Sequence, residues 1–497
     1  MTHVSPRRSL AIPRTRRAFA LLLVLWTFML SVVVVGSIQS TAYAQAVGGR
    51  EALARTRAYW AARSGVEATL ARVENATLDS DQTNAFRVFD DAAQVAEGTI
   101  DRAIYTVVHS TPTGEVLGPA DAHAKLNINR LTPEQLLNIE PLMSEDIVAS
   151  IVDWIDGDDE SLALGAEFSY YNSQTPPYQP RNAFFRSMQE LELVAGVTVD
   201  EVRGEDWNLN TLLDPNEDDD DASLPWDNRD GKLDLGWAGV LTAASVESHY
   251  TTTGEEYVDL TAAATADVTK LTGVEDDQAK VIIDHASESG ATMADYIRTP
   301  LAQLQSQSGS GNDTTTFGFN SSPQVASLSD EQLTKLLDTC SIGPIPAGVI
   351  PGRLNINTCE RETLEMLPDI PPELVDEIIA ERDTRPDGFA SIIELAEVQG
   401  MSRTRLAQIY DLLTVRSNVI EATVRGRDVA TGIEVEIVVT IDRSSVPAVI
   451  KEFRVQCPRR WNPNPAPSVP RPRPVRKAPR ASSPPSMSRA IRSSLSS

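Results

Sequence analysis

The 497-residue sequence predicts an α+β protein: a long N-terminal helix, membrane-spanning then amphipathic, a small β-sheet core, and a large inserted, mainly α-helical domain with duplicated units. Three observations predict it. The run Ala18 to Val35 holds no charge and no proline, follows a basic cluster (Arg14, Arg16, Arg17), and has nearly the length that crosses a bilayer as a helix. Two stretches of β character, Thr99 to Ser110 and Asn418 to Arg443, stand far apart in the chain. A helical pattern occurs twice between them.

The first helix admits two fates. As a secretory signal it has a basic start, an apolar run and a small-x-small site, Ala42-Tyr43-Ala44, before Gln45. As a retained stem it resembles the signals of type IV prepilins and pseudopilins, in which a prepilin peptidase cuts ahead of the apolar helix. That resemblance places the cut between Ala18 and Phe19 and implies a methylated N-terminus. Ala18 stands where the family usually has Gly, and Leu23 occupies the fifth mature position, where most pilin-like subunits carry Glu. An intramembrane carboxylate is costly and normally has a partner, so its absence is informative.

From Gln45 to Asn75 the sequence is proline-free, and Leu53, Trp60, Val66, Leu70 and Val73 recur at helical spacing. A long helix, first apolar all round and then amphipathic, favours the retained stem. Gly48-Gly49 marks an expected weak point. The β stretches, the second with Ile433, Val435, Ile437, Val439 and Ile441 on one face and Gly426 and Gly432 bounding a preceding turn, are expected to share one sheet. Nearly everything from about 120 to 416 is then an insertion.

Within the insertion, Lys125-Leu126-Asn127-Ile128-Asn129 recurs as Arg353-Leu354-Asn355-Ile356-Asn357, and the Phe185 to Gly196 pattern recurs as Phe389 to Gly400. Each copy matches a helix-hairpin-helix pattern. Hairpins that bind nucleic acid offer bare backbone N–H groups to a phosphate from a Gly-x-Gly turn. Here Asp369 and Pro371 hold those positions, the first repelling phosphate and the second deleting a donor. Pro141 and Met143 hold them in the first copy. A protein-packing role is therefore expected, and no nucleic-acid partner.

The offset between copies falls from 228 residues to 204, so copy one carries an extra segment. That segment reads DWIDGDDE, then GAEFSYY, then PPYQPRN; with the matched part after it, DWIDGDDE, GAEFSYY, PPYQPRNAFF and SMQELELVAGV follow one another between the two LNIN repeats. In this order the motifs resemble the general secretion pathway protein K family, the large minor pseudopilins of type II secretion. The resemblance covers Arg17 to Gly204 and Gly352 to about Arg454. It implies a pilin-type helix and pilin-like core, placement at the pseudopilus tip with minor pseudopilins I and J and other pseudopilins, an inner-membrane anchor with a periplasmic globular domain, and calcium binding. It also accounts for Leu23, because this family lacks the helix glutamate.

Formal net charge is -26, yet the first seventeen residues and everything after Pro458 are basic without acids, so the middle is more acidic still. Such a surface repels nucleic acid and favours divalent cations. The densest acidic stretch supplies Asp206, Asn208, Asn210, Leu212 (through its carbonyl), Asp214 and Glu217 at the ligand positions of an EF-hand-like loop, with Thr211 where the turn wants Gly. Asp230 and Asp234 add oxygens, and Asp153, Asp156, Asp158 and Asp159 form a second, weaker cluster. Calcium is the expected ion. Of three cysteines, Cys340 and Cys359 would bridge outside the cytoplasm, and Cys457 stands alone. No phosphate-binding loop, nucleophile elbow or Cys/His pairing is present, so no catalytic residue is assigned and an enzyme is not expected.

The expected division is a basic cytoplasmic leader (1–18), the helix (19–75, with 19–36 transmembrane), a pilin-like β-region (76–124), α-domain copy one (125–204), an acidic calcium-loop insertion (205–260), a further hairpin-like helical element and flexible loop (261–351), copy two (352–416), C-terminal strands of the core (417–457) and a disordered basic tail (458–497). Two alternatives stand beside a minor pseudopilin. One is an exported soluble calcium-binding helical protein; the other is a membrane-tethered helix-hairpin-helix DNA-binding protein.

Overall fold

The computed structural model describes residues 15–78, 84–111, 114–139, 141–209, 211, 213–219, 222, 224–227, 230–308 and 325–456. The leader up to Arg14, most of the 305–322 loop, Asn210, Leu212, Cys457 and the basic tail lie outside the described residues.

One helix, α1 (Thr15–Leu78), runs 64 residues without a break, straight through Gly48-Gly49. At 1.5 Å per residue it is about 95 Å long. Phe19 to Ile38 are exposed throughout, whereas Ala54, Ala58, Ala61, Ala62, Val66 and Val73 form a buried stripe. Small residues on that stripe let a sheet approach closely. The short helix α2 (Arg87–Ala93) follows, then β1 (Glu97–Ile100), β2 (Ala103–Thr111), β3 (Gly114–Leu117) and β4 (Ala120–Asp121). The chain then leaves the sheet and returns as β5 (Val419–Asp428), β6 (Glu434–Asp442) and β7 (Val449–Gln456).

The sheet order is β1-β2-β5-β6-β7, all antiparallel, with β3 on β2 and β4 on β5. Thr423 sits opposite Val108 and Val424 opposite Val107, so the two sequence-distant β stretches share one sheet as expected. Gly426 departs from expectation. It lies inside β5, not in a turn, and a Cβ there would stand 1.9 Å from the Ala58 carbonyl oxygen. The glycine is where α1 crosses the strand. Gly65 on α1 is the counterpart, its absent Cβ making room for the Tyr105 ring and Val424.

The insertion has its own apolar core, running from Leu126 to Val415 and separate from the one between α1 and the sheet. Three parallel two-residue ladders organise it: Leu126-Asn127 with Leu241-Thr242, Val258-Asp259 with Cys340-Ser341, and Leu354-Asn355 with Leu413-Thr414. The middle ladder exposes a third unit. Thr261 N–H donates to Asp259 Oδ1 (2.9 Å), as Asn129 N–H does to Asn127 Oδ1 (3.0 Å) and Asn357 N–H to Asn355 Oδ1 (3.1 Å). The further helical element read near Leu271 thus begins at Val258. The first ladder closes at Leu241-Thr242, so the acidic stretch is an excursion inside the first unit.

Candidate assembly stem and cation-binding loops

The second asparagine of each LNIN repeat is a clamp. Asn129 Oδ1 accepts the Phe185 N–H (2.7 Å) while its Nδ2 donates to the Phe185 carbonyl (3.0 Å), and Asn357 does the same to Phe389 at 2.7 and 3.0 Å. This ties the LNIN turn to the distant phenylalanine and explains why the two motifs travel together. Asp121, at the exit from the sheet, accepts from Asn355, Thr358 and Ser417, joining the exit, the second repeat and the re-entry point.

The extra segment of copy one is an aromatic box. Trp154 stacks on Phe185 (6.2 Å, interplanar angle 5°) and meets Tyr171 edge-on (5.1 Å), with Tyr178 alongside. The Trp154 indole N–H donates to Glu190, itself ion-paired with Arg181. DWIDG, FSYY, PPY and AFF each contribute one ring to it.

Beside the box, a carboxylate cluster forms from Asp153, Asp156 and Glu167, whose oxygens lie within 4.8 Å of one another. This corrects the sequence reading. Helix α3 (Glu145–Ile155) ends there, and Asp158 and Asp159 just beyond it turn to solvent. Glu167 arrives instead, over Gly165, where a Cβ would collide with Asp153 Oδ2 at 2.0 Å. Burial, then the neighbouring acids, raises the pKa of Asp156, and burial leads the rise of Asp153 and Glu167. One oxygen of Asp156 and one of Glu167 are buried with no hydrogen-bond partner, as an oxygen awaiting a hard cation would be.

In the longer loop, Asp206 and Glu217 are each 1% exposed. Thr211 N–H donates to Asp206 Oδ2 (2.9 Å), and Thr211 adopts φ +60°, the left-handed turn that the glycine position demands. Asn208 Nδ2 donates to Asp214 Oδ2 (2.6 Å). Glu217 accepts from the Trp207 and Asp214 N–H groups (3.0 and 2.9 Å). Burial, with Asp206 and Asp214 adding repulsion, pushes the Glu217 carboxyl up to about 8. The structure thus places Asn208, Asp214 and Glu217 around one turn with Asp206 near enough to repel Glu217, whereas the acids among the described residues whose oxygens gather within 4.8 Å are Asp153, Asp156 and Glu167. Asp230 and Asp234 stay exposed: Asp230 caps Lys232 N–H, and Asp234 N–H donates to Glu205, a buried acid that the sequence reading did not single out. Arg454 and Gln456 of β7 donate to the Asn208 and Leu209 carbonyls, docking the loop on the sheet edge.

Cys340 and Cys359 are not joined. Cys340 sits in the ladder against Val258, and Cys359 faces the Ile356 carbonyl, each a separate buried thiol. Burial pushes the Cys359 thiol up to about 12, which makes it unreactive. In the second hairpin, Asp369 takes the turn glycine's conformation (φ +59°) and Pro371 precedes the helix α4 (Pro372–Thr384). That turn presents a carboxylate where a phosphate would approach.

On α1, Ala18 lies in the first turns, Phe19 is 68% and Leu23 54% exposed, and Leu53 and Trp60 stay exposed opposite the buried stripe. A bare apolar half-helix whose other half packs on an antiparallel sheet defines a pilin-like subunit, here with a helical domain let into the sheet. Its resemblance to type II secretion system protein K holds: residues 115–204 match the family model described as type II secretion system, protein K, and residues 351–414 match a helix-hairpin-helix motif model. Among curated relatives, type II secretion system protein K of Klebsiella pneumoniae is 38% identical over 61 residues, which are 12% of this chain and 19% of that one. Putative type II secretion system protein K of Escherichia coli K12 is 44% identical over 55 residues, 11% of this chain and 17% of that one. Each alignment spans less than a fifth of the relative's length. A solved structure, the GspK-GspI-GspJ complex from the type 2 secretion system of enterotoxigenic Escherichia coli, aligns at 12% identity and a TM-score of 0.41, covering 82% of this chain and 99% of that one.

Proposed function

We propose that the chain is a non-enzymatic minor pseudopilin of a type II secretion system, held in the inner membrane by α1 with its globular part in the periplasm, and that it caps the pseudopilus tip and promotes its assembly. The observation that carries this reading is the combination on one helix of an exposed apolar half and a half packed on the sheet, in a chain whose 115–204 segment matches the protein K family. A tip subunit has no neighbour above it, so Leu23 needs no carboxylate to meet a neighbour's amino terminus. The partners are minor pseudopilins I and J, the subunits that accompany protein K in the enterotoxigenic Escherichia coli complex. Prepilin peptidase acts between Ala18 and Phe19. Calcium occupies the Asp206–Glu217 loop, where it offsets the mutual repulsion of buried carboxylates.

Co-expression of the full chain with tagged minor pseudopilins I and J from the same secretion system tests the assignment. A stoichiometric ternary complex after detergent extraction is the expected result. A chain that purifies alone, while I and J still pair, would argue against it.

A further inference from the structure

A cavity of about 450 Å³ opens between the end of α1, the turn after β6 and the inserted domain. Arg87, Arg353, Arg416 and Arg443 all line it. Arg353 is paired with Glu247 (3.2 Å) and Arg416 with Asp338 (3.3 Å). Arg443 has no ion-pair partner among the described residues, and its Nε donates to the Thr77 hydroxyl at 2.8 Å. Burial pulls its pKa down to about 10, with Asp121 the carboxylate that opposes the fall. Arg416 adds a second open donor, a buried Nε with no hydrogen-bond partner. A partly buried guanidinium without a counter-ion is costly, and in so acidic a chain carboxylates are plentiful, yet among the described residues none stands at pairing distance from Arg443. Ser417, Ser444 and Ser445 bring further polar groups to the lining.

We propose that this cavity binds a carboxylate, held by Arg443 and by the open Nε of Arg416. Arg353 and Arg416 are already paired and a fourth guanidinium in the lining, Arg87, has a contact of its own, whereas Arg443 lacks a counter-ion among the described residues; a carboxylate, whose two planar oxygens suit guanidinium donors, would supply one. The carboxylate comes either from a free organic acid or from an acidic side chain of a peptide.

Calorimetry on the detergent-solubilised full chain, with acetate, an end-blocked Ala-Asp-Ala peptide and inorganic phosphate as probes, tests this. Saturable binding of acetate or the peptide, weakened at least tenfold in Arg443→Gln, is expected, and the tighter of the two identifies the source. Phosphate that binds as well, or a variant that binds as tightly as the wild type, would overturn the proposal, as would no saturable heat from any carboxylate. Ser445→Glu places a carboxylate at the mouth from an exposed position. It should abolish acetate binding and raise the melting temperature; unchanged binding would overturn the proposal even where Arg443→Gln fails to fold.

Discussion

Asn357 is 3% exposed, and its side chain serves three backbone groups: the Phe389 N–H, the Phe389 carbonyl and the Val415 carbonyl. Truncation leaves them buried without partners, so Asn357→Ala should cost about 3 kcal/mol in denaturant unfolding. A change below about 0.5 kcal/mol would remove the clamp from the account. Glu247 gives a pH signature. Burial alone would raise its carboxyl, but Arg353 beside it prevails and holds it at about 2, below the ordinary 4.5. A lowered folded-state pKa contributes stability above 4.5 that disappears as pH falls toward 2. Glu247→Gln should therefore lose on the order of 2 kcal/mol at pH 7, nothing at pH 2, and the slope between them. At this scale the sequence showed that Asn127, Asn129, Asn355 and Asn357 recur but not what they do, because the partner of each clamp lies on a distant segment. Thr211 was half legible: a β-branched residue where the turn wants glycine marked a misfit, and the structure gives it the left-handed φ of +60° all the same.

Among elements, α1 and the strands were readable because their patterns are periodic and long. Gly426 was not, since a glycine near a second glycine suggests a turn, and only the crossing of α1 over β5 shows that it makes room for a backbone. The third helical unit was half seen: Asp259 and Thr261 replace the asparagines, so the geometry repeats where the letters do not. Asp158 and Asp159 were chosen by proximity in sequence, whereas the end of α3 turns them outward and Glu167 replaces them. The acidic excursion carries the cation prediction. Calcium should raise the melting temperature of the chelator-treated chain by several degrees, and Asp214→Ala combined with Glu217→Ala should remove that rise. Melting that is indifferent to calcium and chelator alike would count against the site.

For the whole molecule, the sheet is opened at Asp121 and closed again near Ser417, and a domain with its own core fills the gap. Such an insertion loads a large body onto a slender stem without breaking the packing of α1 on the strands. Its seam is polar, lined by the Arg353–Glu247 and Arg416–Asp338 pairs, and this is where sequence reasoning had least to offer, because all four residues come from separate segments. Everything proposed for assembly depends on α1 being kept. Mass spectrometry of the mature N-terminus, on chain made in a host with an active prepilin peptidase, measures this directly. The expected first residue is Phe19, carrying a methyl group, with the apolar helix intact; a chain beginning at Gln45 would mean that the helix is discarded and would contradict the pseudopilin assignment.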